Sequence, residues 1–427
     1  MEIFELEKIA FADEGKKIMY QYTVTSGIAA LFDQNTPFYA IYGADVSSVP
    51  ISLSVIPLIG NIAPIAWFAG FKIEVDELDE DFYNSLTLIK AIFKKNYPDR
   101  EIEGSISAKK LVKNGNQGDK TAMLFSGGVD AFATYIRIVD KNPDLVTIHG
   151  ADIEIEDKRQ WNDFLSFNAS EKTIAKNPKE YIQANLRDFY TYKVDLLVDG
   201  LGWWGKVQHG LGLICLLAPI SYLKGYSSIY IASSYTDHIS INWGSTPEID
   251  QKISWSALKV IHDGYALKRQ DKIDLITSFA ADADEDLKLR VCYSELNEKL
   301  NCSHCEKCYR TILGIILSGK NPNNYGFKVD EHIYDQVFHK LEHAHLTEGG
   351  QYFWWELMEK AKSTEDYFIF KDEAIERENI ARLKNGEIDQ LFNQKIEKDK
   401  KSKVHTYKFI LRNRFPGLYT LFQKIKN

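Results

Sequence analysis

Apolar and polar positions alternate differently along three stretches of the chain. The first 118 residues carry short β-like runs at 17–24 and 38–42, then an apolar stretch, then helical spacing over 82–93. The apolar stretch, 46–71, has no charge, yet it contains Pro50, Pro57, Asn61 and Pro64. A bilayer helix accommodates these poorly, so the pattern predicts buried strands or short helices of a core instead of a membrane span. A polar, glycine-containing segment at 113–120 marks the first boundary. Beyond it come a short apolar run at 121–125, a glycine turn and a helix-compatible segment at 131–139. Strands at 145–148 and 228–231 and a buried helix over 206–223 continue the alternation. Strand, turn and helix in this order predict an α/β fold, a parallel sheet with helices on both faces. From about residue 309 the pattern is helical, with candidates at 311–317, 332–346, 353–362 and 372–384. The expected organisation is an N-terminal α/β accessory unit (1–118), a nucleotide-binding core with a cysteine cluster (119–320) and a helical C-terminal region (321–427). The basic, aromatic end at 405–427 is expected to be a helix packed on its own protein.

Composition narrows the class. With 44% hydrophobic and 26% charged residues and no low-complexity tract, 427 residues suffice for two or three packed units. The net charge of −8 argues against nonspecific nucleic-acid binding as the main task, though it leaves room for a local basic groove. The acidic start, Met1 to Glu5, lacks a signal peptide's basic and apolar regions. Five cysteines, three of them within seven residues, fit metal binding in a reducing compartment better than a disulfide framework. A cytoplasmic location is therefore expected.

Two motifs carry chemistry. A loop that holds pyrophosphate needs inward backbone N–H groups, residues without Cβ, and a helix N-terminus behind it. Ser126-Gly127-Gly128-Val129-Asp130 offers these after a strand and before a helix. Ser126 can donate its hydroxyl to a phosphate oxygen, and Asp130 is placed to hold Mg2+. The plainer reading is a tight turn with Asp130 as a helix N-cap. The second motif is Cys302-x2-Cys305-x2-Cys308, with Cys292 nine intervening residues upstream. Four thiolates close a tetrahedral shell, which favours Zn2+ over an oxidised pair or an iron–sulfur cluster. His304 then reads as a neighbour and Cys215 as a buried core thiol.

The loop resembles the Ser-Gly-Gly-x-Asp-Ser signature of the PP-loop (N-type) ATP pyrophosphatase superfamily, and the cysteine spacing resembles the zinc motif of its 7-cyano-7-deazaguanine synthase family, which serves queuosine-type biosynthesis. The resemblance covers 121–317 and marks the chain as a divergent member. It implies a HUP-like Rossmannoid core with a four-cysteine zinc site, and an adenylating ligase that uses ATP and Mg2+. A substrate carboxylate would attack the α-phosphate and pyrophosphate would leave, with Ser126, Gly127, Gly128, Val129 and Asp130 binding nucleotide. Nitrogen transfer would then give an amide, which the synthase family converts to a nitrile. Arg269 and Lys272 stand where the family has a basic residue that neutralises the leaving pyrophosphate. The loop after the 228–231 strand is the expected substrate region, with Ser234, Asp237 and Asp250 as contacts and His209 facing the nucleotide. One position departs from the signature, since Ala131 replaces its final serine. One lost hydroxyl donor removes roughly 1 kcal/mol of phosphate contact. Relatives in anti-phage defence attach a deazaguanine to a macromolecule, which implies a protein partner, and family members often form homodimers.

Two other readings compete. Ala131 motivates a noncatalytic, zinc-stabilised nucleotide-binding module. His339-x-x-Glu342-His343 matches an inverted zincin pattern and motivates a metallopeptidase, although the motif lies in a charged stretch that suits a solvated helix face.

Overall fold

The computed structural model describes residues 1–115, 118–283, 286–292, 300–343, 346–365 and 368–388, with 390, 409–410 and 413–414. Apart from these last four residues, the basic aromatic end lies outside the described residues.

Ten strands form one sheet: β1 (Ile3–Ala12), β2 (Lys17–Val24), β3 (Tyr39–Ile41), β4 (Lys72–Asp79), β5 (Ser105–Val112), β6 (Lys120–Leu124), β7 (Asp144–His149), β8 (Lys179–Ala184), β9 (Tyr226–Ala232) and β10 (Lys259–Asp263), in the order β10-β9-β6-β7-β8-β3-β2-β1-β4-β5. β8, β7, β6, β9 and β10 are mutually parallel. All six residues of β7 are buried, as expected of a strand covered by helices on both faces.

The N-terminal strands continue this sheet. β3 pairs antiparallel with β8 through Ala40 and Ala184, and β1–β2–β3 is an antiparallel meander. One apolar cluster runs from Phe4 and Trp67 to Ile229 and Trp255, so the first 118 residues and the central strands share a core. The uncharged stretch forms two buried helices, Ile51–Ser54 and Ile56–Ala69. Gly70 ends the second at φ +77°, a left-handed position that suits glycine. Asp79 caps the amphipathic helix Glu80–Asn96 by accepting from Phe82 N.

The single helix expected over 206–223 is broken. A wide turn at Trp204–Gln208 leads into His209–Cys215, and a separate helix spans Ala218–Lys224. Pro219 explains the break, because it has no N–H to continue the ladder and begins the new helix instead. The C-terminal helices are Glu306–Leu317, Ile333–His343, Glu348–Ser363 and Glu373–Lys384. Among the described residues no helix is long and apolar enough to cross a membrane.

Candidate functional site

The parallel strands lie in the order β8-β7-β6-β9-β10, so the chain direction across the sheet reverses between β6 and β9. Crevices at such switch points, beyond the carboxyl ends of the strands, are where open α/β sheets take ligands. Both loops flanking this point carry candidate residues. After β6, Gly127 adopts φ +76°, and a Cβ there would lie 2.6 Å from Phe167 Cε1. Arg290 N donates to Gly127 O at 2.8 Å, and Thr147 Oγ1 to Phe125 O at 2.6 Å, bracing the turn. Gly128 occupies the N-cap of the helix Val129–Arg137 with no side-chain cap, so Asp130 is not the capping residue. Replacing Gly127 with Ala combines a left-handed backbone with a clash, and should lower the unfolding midpoint by about 2 kcal/mol equivalent in a denaturant titration. A variant as stable as wild type would show that the turn has another conformation available.

Asp130 is ion-paired on both oxygens. Lys272 Nζ lies 2.9 Å from Oδ1 and Arg269 Nη2 3.1 Å from Oδ2. Burial alone would raise the carboxyl, but Arg269 and Lys272 bring it below its ordinary value. Lys272 also donates to Ser233 O at 2.5 Å and is only 2% exposed, so it ties the loop after β6 to the loop after β9. Both oxygens of Asp130 therefore face cations, which is where the expected Mg2+ contact, direct or through water, would have to be shared.

Beside the loop lies a recess lined by Ser126, Gly128 and four basic residues, Arg269, Arg290, Lys307 and Arg310. Arg310 Nη1 is buried with no hydrogen-bond partner. Burial pushes the Lys307 ammonium down to about 7, and repulsion from Arg310 and Arg269 adds to the shift. A dense group of cations around an open recess is a site for an anion of several charges.

A second cleft shares Ser126, Asp130 and Arg290 with this recess. Its walls are largely apolar, including Val146, Ile148, Ile153, Leu213 and Ile231, with Asp152, His209 and Ser234 as polar points. Ala131 also lines it, and its side chain is buried in the helix's first turn. Burial lowers the His209 pKa, and its Nδ1 is buried without a partner.

The other two substrate candidates are placed elsewhere. Asp250 is fully buried, and its Oδ2 accepts from Ser245 Oγ at 2.6 Å and His262 Nδ1 at 2.7 Å. Its Oδ1 sits where a Cβ on Gly210 would be, which fixes glycine there. Asp250 thus braces the wall behind His209 and does not open onto the cleft. Asp237 is half exposed, next to His238, and does not line the cleft.

The four cysteines Cys292, Cys302, Cys305 and Cys308 converge, with ligand atoms all within 4.8 Å of one another, and can hold a metal ion. No disulfide joins them. Asn301 builds the turn, accepting from Val291 N at 2.9 Å and Cys292 N at 3.3 Å and donating to Leu289 O at 2.7 Å. His304 is exposed and bonds back to Cys302 O. Cys215 is buried beside Gly60, away from the cluster. The zincin-like helix gathers no comparable donor set among the described residues. His339 and Glu342 are 76% and 51% exposed, as on a solvated face, and the side chain of His343 lies outside the described residues.

Three residues of the recess were not singled out from the sequence, namely Arg290, Lys307 and Arg310. Their signal was their offset from the cysteines: Arg290 precedes Cys292 by two, Lys307 lies between Cys305 and Cys308, and Arg310 follows Cys308 by two. Comparison with protein-family models, curated proteins and solved structures gives no match to this chain.

Proposed function

We propose that the protein is an ATP-dependent adenylating enzyme of the PP-loop type, similar to 7-cyano-7-deazaguanine synthase. The observation that carries this reading is the junction at Ser126 and Asp130 of a largely apolar cleft with a recess lined by four basic residues. The cleft suits a nucleoside and the recess suits its β- and γ-phosphates, and in this reading the α-phosphate lies at the junction. In this reading a substrate carboxylate attacks there, and Ser126, the loop amides, Arg269, Arg290, Lys307 and Arg310 stabilise the charge that collects on departing pyrophosphate. Lys272 and Asp130 hold Arg269 and the two loops in place. Mg2+ enters with the nucleotide, and no Asp130 contact to it is invoked. An amine or ammonia then displaces AMP to give the amide. His209, kept neutral by burial, is suited to accept the proton that the amine sheds.

The four-cysteine site is assigned to Zn2+. Zinc–sulfur bonds of about 2.3 Å at tetrahedral angles separate sulfurs by roughly 3.8 Å. The Cys292–Cys305 and Cys302–Cys308 sulfurs are each 3.8 Å apart.

The test is pyrophosphate release from ATP and Mg2+ with candidate carboxylates, 7-carboxy-7-deazaguanine among them. Release is expected with the correct acceptor and should fall at least about a hundredfold in Asp130→Ala, which frees Arg269 and Lys272 from their common partner. The second reading, a noncatalytic nucleotide-binding module, is favoured by Ala131, which withholds a hydroxyl from the loop. ATP binding without release for any carboxylate would favour that reading.

A further inference from the structure

Two of the three arginines of the recess, Arg269 and Arg310, are held from outside the proposed nucleotide-binding core. Phe353 belongs to the helix Glu348–Ser363, well beyond residue 317, where the family resemblance ends. Its ring stacks on Tyr235 at 5.5 Å between centroids and 8° between planes, so its orientation is set by the loop after β9. Arg310 Cζ lies 4.3 Å and Arg269 Cζ 5.1 Å from the centroid of that same ring. The same helix makes two more links to these residues. Glu356 Oε2 accepts from Arg269 N at 3.0 Å, and Trp354 Nε1 donates to Glu306 Oε1, which pairs with Arg310 Nε at 3.2 Å.

Arg269 and Arg310 repel each other, and each is drawn to a different carboxylate, Asp130 and Glu306. An aromatic face attracts both through its negative quadrupole, which an aliphatic side chain of similar volume cannot do. We propose that Phe353 is a positioning residue that gathers Arg269 and Arg310 onto one ring and presents them together to a pyrophosphate group. The helical C-terminal region is on this account part of the anion site. The inference rests on the recess being the phosphate site proposed above.

The experiment is calorimetric titration of the full-length protein with inorganic pyrophosphate at several salt concentrations. Wild type, Phe353→Tyr, Phe353→Leu and Phe353→Met are compared, with unfolding midpoints measured in parallel. The aromatic variant should bind like wild type. Both aliphatic variants should bind roughly tenfold more weakly, whatever their midpoints, and in an Arg310→Gln background Phe353→Leu should add at most about a threefold further loss. The two aliphatic replacements guard against one of them failing to fold. Pyrophosphate binding in which aliphatic and aromatic variants are equal would overturn the positioning role. No binding by wild type would overturn the phosphate recess itself, and the inference with it.

Discussion

Lys272→Ala should destabilise the protein by about 3 kcal/mol and abolish pyrophosphate release. The ammonium group is almost wholly enclosed, its side chain 3% exposed, between the Asp130 carboxylate and the Ser233 carbonyl. Removing it leaves a largely enclosed carboxylate, its side chain 20% exposed, with Arg269 alone and a carbonyl with no replacement donor, and it unties the segments after β6 and β9. Breaking one side of such a pair costs far more than the pair contributes, because the uncompensated charge stays buried. The double replacement Asp130→Asn, Lys272→Met removes both charges and should recover only part of the stability, because the Ser233 carbonyl and the Arg269 guanidinium then lack these partners. It should not recover activity, since Arg269 then has no carboxylate to hold it over the recess. The pH dependence has a definite sign. The Asp130 carboxyl is held below its ordinary 3.8, so the pair's contribution is present above that value and is lost as the pH falls through the lower folded one. Denaturant midpoints for the three proteins at pH 7 decide the matter. A single variant as stable as wild type would show that solvent reaches Asp130 and that the ion pair does not hold the loops.

The loop after β6 was legible because several demands coincide there. A strand, two glycines and a helix N-terminus are each common, but only in this order do they make a turn that approaches a ligand, and Gly127 at φ +76° against Phe167 meets that demand. The cysteine cluster was legible because its donors are nearly contiguous. Residues whose meaning depends on distant partners were harder to read. Asp250 looked like a substrate contact because it is acidic and follows β9, yet its partner is His262, twelve residues later on β10, and the pair is buried. Arg310 reads as an ordinary helix charge until the fold brings it within reach of Phe353. Strands β1, β4, β5, β8 and β10 have no counterpart in the sequence reading; in β1, β4 and β5, which lie toward a sheet edge with one side partly open, charges interrupt the alternation.

With the proposed zinc in the four-cysteine site, stripping it should weaken pyrophosphate binding by about a hundredfold while leaving the ten-stranded sheet folded. The reason lies in the chain path. Three of the four basic residues of the recess, Arg290, Lys307 and Arg310, lie within two residues of a cysteine of the cluster, and only Arg269 comes from an element without one. Without a cation, thiolates 3.8 Å apart repel, so the turn must take up protons or open, and either change moves the adjacent basic side chains. Losing two charge-assisted contacts of about 1.5 kcal/mol each amounts to roughly 3 kcal/mol, or somewhat more than a hundredfold in affinity. The sheet core and its apolar cluster do not depend on the cysteines, so far-ultraviolet circular dichroism should change little. Cys305→Ser should act like chelation and should not be rescued by added zinc. Metal content by atomic emission, measured beside the pyrophosphate titration, makes the test decisive. Full affinity in a protein shown to be metal-free would mean that the packing of the helix Glu306–Leu317 alone holds Lys307 and Arg310, and that the metal serves some other purpose.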